Sequence, residues 1–146
     1  MNPIEFARLR SRGFTLIEIL IAVGIVAILA KVALSSYSFA IIKAHRTDAK
    51  TALLDLAARE ERYFAANNTY TNVAANLGYA ALPAAIPGGT ATTTYTLNIT
   101  AATATSFNAQ ATRAVVQGTD SCGDYTVDDR GTQSNVNNTT APSSCW

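Results

Sequence analysis

Histidine occurs once in this chain, at His45, and cysteine only twice, at Cys122 and Cys145. That scarcity removes most general-base chemistry and leaves too few thiols for a structural zinc site. Neither an H-E-x-x-H pair nor a glycine-rich phosphate loop is present. Asp120, Asp124, Asp128 and Asp129 form the one acidic cluster; without the D-x-[DN]-x-[DN]-G spacing of a calcium loop they read as solvated turn residues. His45, among Lys43, Arg46 and Asp48, reads as part of a solvated helix face. No catalysis, cofactor or metal is expected. Charge is scarce as well, at 14% of residues, and 49% are hydrophobic, which is too apolar for a disordered chain and low in charge for a cytosolic enzyme. Eleven Lys and Arg against ten Asp and Glu provide no polybasic field for nucleic acid.

What is present is concentrated at the N-terminus. Arg8, Arg10 and Arg12 precede an apolar run, FTLIEILIAVGIVAILA, that resumes after Lys31. Phe14 to Leu34 is 21 residues, which as a helix spans roughly 31 Å, about one hydrocarbon thickness. Basic residues ahead of such a run stay on the cytoplasmic side, so the remainder is expected on the other side. A secretory signal peptide shares this order of charge and apolarity. Cleavage after Ala22-Val23-Gly24 would nevertheless leave an apolar core of eight residues and a mature chain starting IVAILA, which disfavours it.

Glu18 stands inside the run, where an ionisable side chain costs about 2.5 to 3.5 kcal/mol on insertion scales. It either lies near the interface and reaches water or has a function. The stretch Gly13-Phe14-Thr15-Leu16-Ile17-Glu18, preceded by Arg12 and followed by the apolar helix, resembles the signal of type IV pilins and pseudopilins. The resemblance implies that a membrane peptidase cuts between Gly13 and Phe14 and N-methylates Phe14. It further implies that Glu18 neutralises the N-terminus of a neighbouring subunit in the filament. The family often carries a helix-weakening glycine near Ala27 and a proline near Ser35; this chain has neither, so a more continuous helix is expected.

No proline occurs between Phe14 and Asn67, so one helix is predicted through both a membrane half and an amphipathic half. Ala49, Leu53, Leu56, Tyr63 and Phe64 form its core stripe, with Arg46, Lys50, Asp55, Arg59 and Arg62 off it and Asp55 and Arg59 spaced for an i,i+4 pair. Asn67-Asn68-Thr69 ends the helix, and residues 67–92 read as a connection with turns at Pro83, Pro87, Gly88 and Gly89. Alternation at Tyr95, Leu97 and Ile99, then at Phe107, Ala109 and Ala111, predicts two strands. Tyr125 and Val127 suggest a third, turned by Asp128-Asp129-Arg130-Gly131 into a weak fourth over residues 132–136. The expected fold is α+β: a long N-terminal helix packed on an antiparallel sheet of about four strands. The expected organisation is a leader over 1–13, a hydrophobic transmembrane and assembly helix over 14–42, and a globular head over 43–146.

Cys122 and Cys145 admit one pairing; a disulfide suits a head outside the cytoplasm, and two free buried thiols are the alternative. In the pilin family such a C-terminal bridge bounds a surface loop. ERYFAANNTYT, residues 61–71, and the terminal Cys145-Trp146 are similar to PilE-type minor pilins, with Trp146 read as packed on the head. These resemblances imply a minor pilin of a type IV pilus, with other pilins, the prepilin peptidase, the inner-membrane assembly machinery and the membrane itself as partners. Its place is then the inner membrane, head periplasmic, before incorporation into an extracellular filament that serves adhesion, twitching or DNA uptake. The alternatives are a type II secretion pseudopilin and a tip module whose Cys122–Cys145 loop binds DNA or a host surface. For DNA that loop offers one basic residue, Arg130.

Overall fold

The computed structural model describes residues 14–87, 92–117 and 120–146. The expected leader over 1–13 and the turn residues Gly88 and Gly89 lie outside the described residues. Helix α1, Leu16–Asn67, is 52 residues long and unbroken at Ala27 and Ser35. It stops where Asn68 takes φ 55°, a left-handed conformation that asparagine enters more readily than most residues. Asn67 Nδ2 caps the end by donating to the carbonyl of Tyr63 at 2.9 Å.

The chain divides into two compact units, one through Phe39 and one from Ala40 to Trp146. In the first, every described side chain from Phe14 is exposed, and the large apolar ones are 51% to 80% exposed. The second has a closed core. Five antiparallel strands form a meander in sequence order, β1 Ala84–Ile86, β2 Tyr95–Ala102, β3 Phe107–Arg113, β4 Asp124–Asp128 and β5 Gln133–Val136. The pleat sends Tyr95, Leu97 and Ile99 of β2, Phe107, Ala109 and Ala111 of β3, and Tyr125 and Val127 of β4 to one face. They share a core with Ala49, Leu53 and Leu56 of α1. The register of β2 against β3 shifts between Ile99 and Ala101, and the hydroxyl of Thr100, the residue between them, donates to Asn108 O at 3.1 Å.

The sheet thus has five strands where about four were expected. The extra one, β1, lies within the predicted connection over 67–92. It is three residues long between Pro83 and Pro87, too short for alternation to show, and prolines are tolerated because it is an edge strand. Thr94 closes the hairpin, its N–H donating to Ile86 O at 2.8 Å.

The α1 stripe also contains an unpredicted member. Glu60 takes the position that follows Leu56 on the core face and is fully buried. Its Oε2 accepts the Thr71 N–H at 3.1 Å, while Oε1 has no partner among the described residues. Burial raises its pKa above the ordinary value, the Thr71 hydrogen bond only partly opposing that.

Candidate functional site

Four places bear on function: the start of α1, the disulfide-bounded end of the chain, and two clefts along the second unit. At the start, Phe14 is 78% exposed and Glu18 lies in the first helical turn. Gly13 is outside the described residues. The Thr15 hydroxyl accepts the Glu18 N–H at 3.3 Å, an N-cap in a Thr-x-x-Glu arrangement that sequence reading passed over. Glu18 therefore also places negative charge at the positive end of the helix dipole, whatever else it pairs with. The helix from Leu16 is long and apolar enough to cross a membrane, with a mean hydropathy of 2.5 over its most apolar window. This is consistent with a membrane anchor.

At the other end, Cys122 and Cys145 are joined by a disulfide, 23 residues apart. Beside it Asp120 is buried and carries most of the local bonding. The Arg46 guanidinium donates to it twice, Nη2 to Oδ1 at 2.6 Å and Nε to Oδ2 at 3.1 Å. The Tyr95 hydroxyl donates at 2.8 Å and the Cys122 N–H at 2.9 Å. Burial alone would raise the Asp120 pKa; these donors outweigh it and hold the carboxyl below the usual carboxylate range. Asp124, also buried, accepts the Arg113 N–H and the side-chain amides of Gln110 and Asn137. Two of the four acids read as solvated turn residues are thus interior tethers, and Arg46 is not on a solvated face. His45 is half-buried, its Nδ1 shielded from solvent. Asp128 does serve a turn, accepting the N–H groups of Arg130 and Thr132.

Trp146 packs edge-on against Tyr125, ring centroids 5.4 Å apart, and its Nε1 donates to Ser134 O at 2.8 Å, so the last residue covers β5. Gly123, φ 67°, leads from Cys122 into β4 so close to Val136 and Asn137 that a Cβ would collide with their backbone oxygens. The predicted Asp55–Arg59 pair forms at 2.7 Å.

Two concavities flank this framework. One, of about 390 Å³, is lined by Arg59, Arg62, Tyr63, Asn67, Asn76 and Leu77. There Arg59 is held by Asp55 and the Leu77 carbonyl, and Asn76 donates to the Tyr63 hydroxyl at 3.2 Å. The other, of about 430 Å³, lies between Lys43, Arg46, Thr47 and Lys50 of α1 and the terminal Cys145 and Trp146. Neither was anticipated, because each depends on segments that meet only after folding.

Comparison with known proteins bears on both ends. Residues 8–30 match the prokaryotic N-terminal methylation motif. Over 71 residues the chain is 35% identical to the type IV major pilin protein PilA of Myxococcus xanthus (strain DK1622), covering 49% of this chain and 32% of that protein. The chain therefore spans less than a third of the length of the curated relative it matches. A solved type IV pilin from Shewanella oneidensis is similar at a TM-score of 0.46 and 22% identity, over 72% of this chain and 97% of that one. Residues 35–126 match the family described as type IV minor pilin ComP, DNA uptake sequence receptor, a match that stops four residues into the disulfide-bounded loop. That match extends over well more than half of the sequence, and the chain belongs to the type IV minor pilin ComP family.

Proposed function

We propose that this chain is made as a prepilin, cut between Gly13 and Phe14 by a prepilin peptidase, N-methylated at Phe14, and built into a type IV pilus through its N-terminal helix. The observation that carries this reading is the apolar surface from Phe14 to Phe39, 51% to 80% exposed at each large side chain, with one acid in its first turn. A surface of that kind is stable in lipid or against like helices and not in water. Before assembly the membrane covers it; afterwards other pilins do. Apolar contact lets helices slide, whereas Glu18 meeting the amine of a neighbouring Phe14 fixes axial register. The head then lies on the periplasmic side, an oxidising compartment that suits the Cys122–Cys145 bond.

Mass spectrometry of the mature protein tests the processing step: a methylated Phe14 N-terminus is expected, and an N-terminus at Met1 or Ile25 excludes the proposal. Glu18→Ala is expected to insert into membranes normally yet be lost from sheared filaments; normal incorporation would remove the register role.

The family's description as a DNA uptake sequence receptor favours a second, compatible role in DNA capture. Residues 43–146 hold seven basic and eight acidic side chains, so a general electrostatic grip is weak. Local recognition is the better fit. The cleft at Arg59 and Arg62 combines cations with the amides of Asn67 and Asn76 and the ring of Tyr63, groups suited to phosphates, base edges and base stacking respectively. Arg62→Ala is expected to weaken duplex binding and lower its salt slope by about 1, and Asn76→Ala to reduce sequence discrimination without changing the slope. Unaltered binding in both variants would exclude this cleft.

A further inference from the structure

The second cleft, at the start of the compact unit, differs from the first in charge and position. Lys43, Arg46 and Lys50 line it from α1, Cys145 and Trp146 face them, and none of its lining side chains is acidic. Arg46 is neutralised by the buried Asp120. Lys50 Nζ uses one donor on the Cys145 carbonyl at 3.2 Å and lies 5.9 Å from the centre of the Tyr125 ring, leaving two N–H groups available. Neither lysine is ion-paired among the described residues. The Thr47 hydroxyl donates to the Lys43 carbonyl at 3.1 Å, which leaves its lone pairs, and not its proton, available. The cleft therefore offers two ammonium groups and a half-buried indole, and suits a compact ligand with at least one negative charge.

Its place along the sequence says where that ligand comes from. From Phe14 to Ile42 the only charged residues are Glu18 and Lys31, and Lys43 follows directly on Ala40-Ile41-Ile42. Those 29 residues correspond to about 43 Å of helix, the thickness of a bilayer with its headgroup layers. A helix that enters at Phe14 thus brings Lys43 to the far headgroup layer, and tryptophan is enriched at that level in membrane proteins. The volume of about 430 Å³ falls among small-ligand sites.

We propose that this cleft holds the phosphate of an anionic glycerophospholipid headgroup at the outer face of the membrane, between Lys43 and Lys50 and beneath Trp146. The inference rests on the membrane-anchored prepilin reading above. A zwitterionic lipid presents its own cation to the two ammonium groups and is disfavoured. The headgroup seats the unassembled subunit at one depth and has to be released when the subunit enters a filament.

Trp146 is the chain's one tryptophan, so its fluorescence reports on the cleft directly. The full chain is placed in nanodiscs of phosphatidylcholine alone or of phosphatidylcholine with phosphatidylglycerol, each with a trace of headgroup-spin-labelled lipid. Phosphatidylglycerol is expected to shift Trp146 emission to the blue and increase its quenching. Lys43→Gln with Lys50→Gln is expected to weaken that response about 30-fold, with unchanged helical signal and an intact disulfide. Lys43→Arg with Lys50→Arg retains the response, as does Arg130→Gln, a basic residue elsewhere on the head. An equal loss in Arg130→Gln means a diffuse field and no site. Reproduction of the shift by inorganic phosphate in phosphatidylcholine discs assigns the cleft to free phosphate, and displacement by a DNA duplex assigns it to nucleic acid; either overturns the lipid assignment. A chain that enters the discs but ignores phosphatidylglycerol overturns this inference alone. A chain that fails to enter them overturns the anchoring with it.

Discussion

The two units of this chain meet the hydrophobic effect in opposite ways. From Ala40 onward, the core-facing apolar side chains are covered by the chain itself: Ala49, Leu53, Leu56, Tyr95, Phe107 and Tyr125 are essentially inaccessible to solvent. Through Phe39 none is covered, although the same helix continues and the composition is more apolar. Alternating patterning closes a core, whereas apolarity on every face of a helix leaves it dependent on an external partner. Stability in the first unit is therefore a property of lipid or assembly, and in the second a property of one chain. Polar groups divide in the same manner. Buried acids in the second unit find their donors within the chain, while the Glu18 carboxylate has no partner among the described residues.

Breaking the internal closure is the most severe test of this contrast. Asp120→Ala removes the acceptor of Arg46, Tyr95 and the Cys122 N–H together, and stranding a partly buried guanidinium and a buried hydroxyl is expected to destabilise the head by about 3 to 4 kcal/mol. Denaturant unfolding monitored through Trp146 measures it. Membrane insertion, which depends on the other unit, should be unaffected. The Asp120 pKa is depressed in the folded chain, so its contribution is present above the unfolded value and is lost as pH falls through the folded one. Replacing Cys122 and Cys145 with serine follows, at about 3 kcal/mol for a loop of this length in the chain-entropy model. The loss should concentrate in residues 122–145, where β5 is a short edge strand held by few apolar contacts. Hydrogen exchange of Asp124–Asp128 against Gln133–Val136 would locate it; uniform loosening would mean that the bridge supports the whole sheet.

Local patterning was legible wherever one element determines it. The apolar run, the Ala49-Leu53-Leu56 stripe, the alternation in β2, β3 and β4, and the helix stop at Asn67-Asn68 all express a period or a turn preference within a few residues. β1 was not, because three residues between prolines carry no period. The two-cleft arrangement and the Asp120 cluster were not either. Arg46 and Asp120 are 74 residues apart, and a charge opposite a distant charge has no signature distinct from a solvated one. Asp120 was grouped with Asp128 because both sit in polar surroundings in the sequence. Folding buries one and leaves the other at a turn.

The smallest expected effect concerns Glu60, the acid on the core face of α1. Its folded pKa is raised by burial, so the folded chain binds the proton more tightly than the unfolded one between the ordinary value of 4.5 and the raised value. Stability from this group is then fully present below the unfolded value and declines as pH rises through the folded one. Asp120 has the opposite sign, so the two carboxylates confine the stability maximum of the head from either side. Glu60→Gln keeps a carbonyl to accept the Thr71 N–H and removes the buried charge. The variant should match the parent in mildly acidic solution and exceed it by up to about 1 kcal/mol at neutral pH. Unfolding curves of both proteins across that range provide the comparison. If their difference does not change with pH, Glu60 titrates alike in folded and unfolded chains, and water reaches the core face of α1 at this position.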